Sequence, residues 1–292
     1  MRDYIIMTDS CCDLSQQEVE ELDLTVLPLS FTIEGKTLLN TPDHADMSPE
    51  EFFQKIAAGA DCTTAAVNVG QFTDAMEKAL QEGKDILCVC FSSALSTTYQ
   101  SACIAAEDLR EKYPEAKILV IDSLSASRGQ GMLLYRAVRE RREKNLTIDE
   151  LDAYVRSIIQ SQCHWFIVDD LNHLKRGGRV SSTAALVGTM LGIKPVMHTD
   201  SEGRLTPVSK ARGTKAALRA LVDKVGEIGV EPEKNQPMLI CHANCPESVE
   251  YVKGLLKERF GVTDVRDEFI GPVIGAHTGC GTLGLFFVGT ER

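Results

Sequence analysis

Long apolar runs are missing from this sequence. No stretch approaches the ~18 consecutive apolar residues that a membrane-spanning helix needs. The first residues, Met1-Arg2-Asp3-Tyr4-Ile5-Ile6-Met7, pass straight into Thr8-Asp9 without the apolar segment of a secretory leader. An excess of positive charge is missing as well. The formal balance is −11, and an acidic surface repels phosphate backbones, so nucleic acid is not an expected partner. There is no Gly-x-x-x-x-Gly-Lys-Ser/Thr loop to cradle a nucleotide. There is no internal repeat and no low-complexity tract.

Cysteine, by contrast, is plentiful: the chain has ten. Without a leader these read as free thiols, and the expected location is the reducing cytoplasm. Cys88 and Cys90 sit in an apolar run and read as small core residues. Cys241-His242-Ala243-Asn244-Cys245 lacks a second pair at zinc spacing, so no metal is expected. At 292 residues the chain reaches the ~250–300 residues where single cores stop growing. Two units are therefore preferred, with a boundary near residue 160.

The elements follow from pattern. Tyr4-Ile5-Ile6-Met7 reads as a buried strand delivering Thr8-Asp9-Ser10 to its end. Ser15 and Glu18 form a capping box for the next helix. Residues 25–31 read as a second strand, 31–36 as a hairpin turn through Glu34-Gly35, and Ser48-Pro49 as a helix start. Helices over 70–80, 96–111, 129–143 and 147–161 alternate with apolar strands over 85–91 and 117–123, which predicts a parallel α/β sheet. Beyond residue 160 the texture changes. A strand over 164–168, a turn over 176–179 and a helix from Ser181 precede a hairpin of 194–198 with 204–208. Helices over 214–228 and 246–260 then alternate with strands over 237–242, 263–269 and 284–288. The expected fold is α/β in two domains, 1–160 mainly parallel and 161–292 with mixed or antiparallel pairing.

Hydroxyl side chains gather just past the strands: Thr8, Ser10, Ser92, Ser93 and Ser123. Ligands of open parallel sheets bind outside the carboxyl ends of strands. Ser92-Ser93-Ala94-Leu95-Ser96-Thr97-Thr98 also opens a helix, whose N-terminus favours an anion. From the residues alone, the preferred reading of Ser96 is a plain N-cap. Cys62-Thr63-Thr64-Ala65-Ala66 reads as a connection, and Gly177-Gly178-Arg179 as a turn. In the segment 271–281, glycines surround His277-Thr278, a loop suited to close backbone approach. The Arg-rich stretch 136–144 reads as a solvated helix face.

In combination these pieces resemble the DegV family along nearly the whole chain. The resemblance rests on Thr8-Asp9-Ser10, residues 92–102, Asp122-Ser123, residues 171–181, Lys194-Pro195, Lys210-Ala211-Arg212 and residues 271–281. It implies a two-domain fold with a long-chain fatty acid in an apolar tunnel between the domains. It implies a carboxylate held at Thr64, Ser93, Ser96, His277 and Thr278. Arg179 would support the carboxylate or dock a partner, with Lys175 or Arg176 beside it. The implied role is a carrier without cofactor, presenting the acid to a separate fatty acid kinase that makes acyl phosphate. The sequence departs from the family pattern at Ala65-Ala66-Val67, at Thr97 and at Cys280. The alternative is a serine hydrolase or esterase acting on acyl substrates, with Ser93, His277 and either Asp122 or Asp9 as a triad. Against it, no Gly-x-Ser-x-Gly elbow surrounds Ser93.

Overall fold

Strands come early and stay buried because apolar β-formers occur in short runs bounded by polar turns. The computed structural model describes residues 2–181 and 192–292. In chain order, β1 (Tyr4–Asp9), β2 (Leu24–Leu27), β6 (Asp85–Cys90) and β7 (Ile118–Asp122) form a four-stranded sheet, order β2-β1-β6-β7, parallel throughout. Between its members, β3 (Leu29–Ile33), β4 (Lys36–Asn40) and β5 (Cys62–Ala65) make a small antiparallel sheet, order β4-β3-β5. The strands β8 (Gln162–Ile167), β9 (Ile193–Thr199), β10 (Leu205–Arg212), β11 (Met238–His242), β12 (Val265–Phe269) and β13 (Leu283–Val288) form the third sheet. Its order is β10-β9-β8-β13-β11-β12, and only β11 and β12 run parallel. The sequence expectation of a mainly parallel first part and mixed pairing afterwards holds.

Helices cover these sheets where their apolar stripes demand. Helix α1 (Gln16–Leu22) starts at the expected capping box of Ser15 and Glu18. Helix α2 (Pro49–Ala57) starts at Ser48. Helices α3 (Val69–Gln81) and α4 (Thr98–Lys112) pack on one face of the parallel sheet, against Met7, Ile86 and Cys88. Helices α5 (Arg128–Lys144) and α6 (Ile148–Ile158) pack on the other, against Ile6, Leu87 and Val89. Strand β6 is thus buried on both faces, as its unbroken apolar run requires. Beyond α7 (Leu171–Arg176), helices α8 (Thr214–Ile228) and α9 (Pro246–Phe260) cover one face of the third sheet. The opposite face sends Leu239, Cys241 and Phe286 into the same apolar cluster as Met7, Leu29 and Phe52. Each such side chain buried contributes about 1.5–3 kcal/mol. Among the described residues, no helix is long and apolar enough to cross a membrane.

Three sequence expectations change, and one short helix was not anticipated. The single strand over 25–31 is two strands in different sheets, because Pro28 lacks the N–H that a continuous ladder would use. Residues 62–65 are strand rather than connection. Their alternating burial, with Thr64 turned inward between exposed Thr63 and Ala65, is the period-2 sign of a half-buried strand. Residues 171–176 form α7, a helix too short for apolar periodicity to reveal. Residues 272–278 form a helix, α10 (Pro272–Thr278), rather than a glycine loop. The helix expected from Ser181 lies outside the described residues beyond that first position. Cys88 and Cys90 are core residues as expected.

Candidate functional site

A cavity of about 450 Å³ opens where the ends of these elements meet. One wall comes from the first part of the chain, through Leu29, Thr64, Phe91, Ser93, Leu95 and Ser96. The other comes from the second, through Leu174, Arg179, Leu205, Val273, His277 and Thr278. All five residues expected to hold a carboxylate therefore line one cavity, and so does Arg179.

The polar end is assembled from four separate segments. Pairing of β5 with β3 sets Thr64 opposite Phe31 and turns its side chain inward. Its Oγ1 lies 2.8 Å from Nε2 of His277. His277 stands in the last turn of α10, which packs tightly because Gly275 lets Phe52 and Phe53 approach. A Cβ there would meet their rings at 2.8 and 2.9 Å. The other imidazole nitrogen faces Gly177, where a Cβ would lie 2.2 Å from Nδ1. Gly177 is thus required by the imidazole, a role the sequence reading of a plain turn missed. The only prior sign was a Gly-Gly pair without an evident turn requirement at its first member.

Proton bookkeeping separates the donors. With Nδ1 packed on Gly177, donation from Nε2 to Thr64 leaves the threonine O–H to point into the cavity. The Ser93 hydroxyl is exposed and has no protein partner among the described residues, while its backbone N–H donates to Asp122 at 3.2 Å. The Ser96 hydroxyl oxygen accepts from the Thr98 N–H at 3.2 Å and lies 2.9 Å from the Thr98 hydroxyl. Donation from Thr98 frees the Ser96 proton for a ligand. Ser96 does not cap the helix in the expected way. Helix α4 begins at Thr98, with Thr97 at the cap position. Thr278 departs from expectation: it is buried, and its hydroxyl donates back to the Ile274 carbonyl at 3.2 Å, so it has no proton left for a carboxylate.

Arg179 ties the two walls together. Its Nε donates to the Leu95 carbonyl at 3.1 Å and its Nη1 to the Gly177 carbonyl. Burial, and then the Arg179 charge, push the His277 imidazole down to about 4. His277 is therefore neutral near pH 7, and the fixed positive charge at this end belongs to Arg179.

The geometry of a hydrolytic triad is not found. Asp9 accepts from the N–H groups of Phe91 at 2.7 Å and Cys11 at 3.0 Å. Asp122 accepts from the N–H groups of Ser93 and Leu124. Neither carboxylate orients His277, whose partner is Thr64. Among the described residues, no group of three or more His, Cys, Asp or Glu side chains is placed to hold a metal. Cys241 is buried in β11, and Cys245 donates instead to the Thr282 carbonyl at 3.5 Å.

A family model described as "Uncharacterised protein, DegV family" matches residues 4–290. The chain belongs to the DegV family. A DegV domain-containing protein of Clostridium perfringens is 39% identical over 292 residues, covering 100% of this chain and 99% of that one. Among solved structures, a DegV family protein of Thermus thermophilus, described by its fatty acid binding, superposes with a TM-score of 0.86 at 29% identity. That match covers 99% of this chain and 100% of the other. A Streptococcus pneumoniae fatty acid kinase B3 protein loaded with linoleic acid superposes with a TM-score of 0.83, covering 98% and 99%. Its identity is 20%, so that likeness speaks to the fold alone.

Proposed function

We propose that this DegV protein holds one long-chain fatty acid in the 450 Å³ cavity and presents its carboxylate to a partner kinase. The carboxylate meets Thr64, Ser93 and Ser96, His277 acts through Thr64, and Arg179 supplies the charge. The observation that carries this reading is the convergence of hydroxyls, one imidazole and one guanidinium from distant segments on one end of a cavity walled by Leu29, Phe91, Leu174, Leu205 and Val273. The division near residue 160, with the ligand between the two units, belongs to the proposal, as does the absence of any cofactor requirement.

The magnitudes fit. Ten buried methylenes contribute about 8 kcal/mol, comparable to a micromolar dissociation constant. Each well-placed donor then offsets desolvation of the carboxylate, which left unpaired would cost several kcal/mol. Ser93 is exposed at the rim, so the head group stays within reach of a phosphoryl donor while the acyl chain is enclosed. The triad reading lacks its carboxylate and is the weaker one.

The test is in three parts. Native mass spectrometry of protein purified without added lipid should show a bound C14–C18 acid. His277→Ala and Thr64→Val should each weaken palmitate binding in isothermal titration by about 1–3 kcal/mol. The double variant should cost no more than the worse single one, because both remove the same hydrogen bond. With ATP and a cognate fatty acid kinase the complex should yield acyl phosphate. Acyl phosphate from this chain alone, or turnover of an ester, would overturn the carrier reading.

A further inference from the structure

Arg136, Arg139 and Arg142 recur at every third residue of α5, a spacing that places them along one flank of the helix. As a sequence they read as a solvated face. In the structure that flank lies beside the segment 235–239 and Val288, and a second cavity of about 390 Å³ remains between them. It shares no lining residue with the first.

The cavity has two distinct surfaces. Its apolar lining combines the partly exposed Tyr135, Pro237 and Val288 with the buried Leu22, Met132, Val138 and Leu239. Its polar part carries four guanidiniums, Arg136, Arg139, Arg142 and Arg266, against one carboxylate, Glu143. These cations are incompletely neutralised. Among the described residues, Arg136 donates to the Ser161 hydroxyl at 3.3 Å and Arg142 to the Glu21 carbonyl at 2.7 Å, and neither makes an ion pair. Arg139 reaches Glu143 only at 3.9 Å. Arg266 is paired with Asp264 and donates to the Tyr135 hydroxyl at 3.2 Å. A guanidinium has five donors, so most remain available.

This concentration of cations runs against the chain's net charge of −11. A merely solvated face needs no apolar recess beneath it, and a merely apolar recess needs no rim of four arginines. We propose that this cavity is a second binding site, for a small free anionic amphiphile: an apolar or aromatic body carrying a phosphate or similar anion. The body would lie on Tyr135, Pro237 and Val288, which stay partly exposed, and the anion would take bidentate bonds from Arg139 and Arg142. The site is independent of fatty acid binding and spans both parts of the chain.

The probe is 1-naphthyl phosphate, titrated calorimetrically into protein preloaded with palmitate so that the first cavity is filled. One molecule should bind per chain. Neutral 1-naphthol and inorganic phosphate should each bind at least tenfold more weakly. Arg139→Glu with Arg142→Glu should weaken the probe at least tenfold and leave palmitate affinity unchanged. The milder Arg139→Gln with Arg142→Gln pair should lie between, and guards against misfolding of the charge-reversed protein. No binding, equal binding to the charge-reversed protein, or equal binding of naphthol would overturn the proposal. Should the chain prove not to hold palmitate, the same titration on lipid-free protein tests this site alone. If the chain does hold palmitate, displacement of the probe by palmitate from lipid-free protein would place the probe in the first cavity and overturn the assignment. Sedimentation with phosphatidylglycerol vesicles, lost in the charge-reversed variant while the soluble probe fails to bind, would replace the free ligand by a membrane surface.

Discussion

Gly177 and Gly178 are neighbours with different physical reasons for being glycine. Gly178 has φ +72 and open space around its missing side chain. It answers to backbone conformation alone. Gly177 has φ −71, a conformation any residue adopts, but its missing side chain is replaced by the His277 ring. Gly177→Ala should therefore push the imidazole aside, break its bond to Thr64 and weaken palmitate binding by roughly tenfold, within the range of one lost hydrogen bond. Gly178→Ala should lower thermal stability by about 1 kcal/mol and disturb binding far less than Gly177→Ala, since its Cβ would displace no side chain. Titration calorimetry and melting curves on both variants separate the two. Native affinity in Gly177→Ala would show that the imidazole position does not govern the site.

Elements are held at their ends by single residues that serve several partners. Glu18 closes the capping box of α1 by accepting from the Ser15 N–H at 2.9 Å. The same carboxylate grips Arg128 at the start of α5 through two bonds of 2.7 Å. Arg128 is fully buried. Removing one partner of such a pair leaves an uncompensated charge, whereas replacing both by apolar groups is close to neutral. Glu18→Ala should thus cost about 3–5 kcal/mol in urea unfolding, and Glu18→Leu with Arg128→Met should recover a large share. A double variant as unstable as the single one would mean that the charge itself is required. The capping half of this arrangement was legible in sequence, because Ser15 and Glu18 stand three apart. The clamp was not, because nothing local links residues 18 and 128. The same division runs through the site. Thr64, Ser93, Ser96 and His277 could be picked out through family resemblance and hydroxyl clustering. The back-bonded hydroxyl of Thr278, the contact of Gly177 and the apolar walls depend on chain segments far apart in sequence. Strand β5 and the short helices α7 and α10 were missed because four to seven residues are too few for periodicity to speak.

Across the whole molecule, Asp13 joins the two parts. It accepts from the Ser127 hydroxyl at 2.6 Å and from the Gly271 N–H at 3.1 Å. Burial pushes its carboxyl up to about 7, against the pull of those hydrogen bonds. The folded state then holds the Asp13 proton more tightly than the unfolded chain, whose value is near 3.9. Its contribution to stability is complete below that value and is lost as pH rises through the folded value, at most on the order of 4 kcal/mol. Asp13→Asn cannot titrate. The stability gap between variant and native protein should therefore shift in favour of the variant by about 1–4 kcal/mol between pH 5 and pH 8, measured by urea unfolding at constant salt. A gap that stays constant with pH would mean that Asp13 is ionised throughout.

The two walls of the fatty-acid-sized cavity are delivered in order by the ribosome. The last residue of the first wall is Ala126, and the second is not complete until Thr278. At roughly 5–20 residues per second, about 8 to 30 s separate the two. For that interval the wall opposite Leu29, Phe91 and Leu95 is incomplete, and the nascent chain carries half of the cavity as an open apolar face.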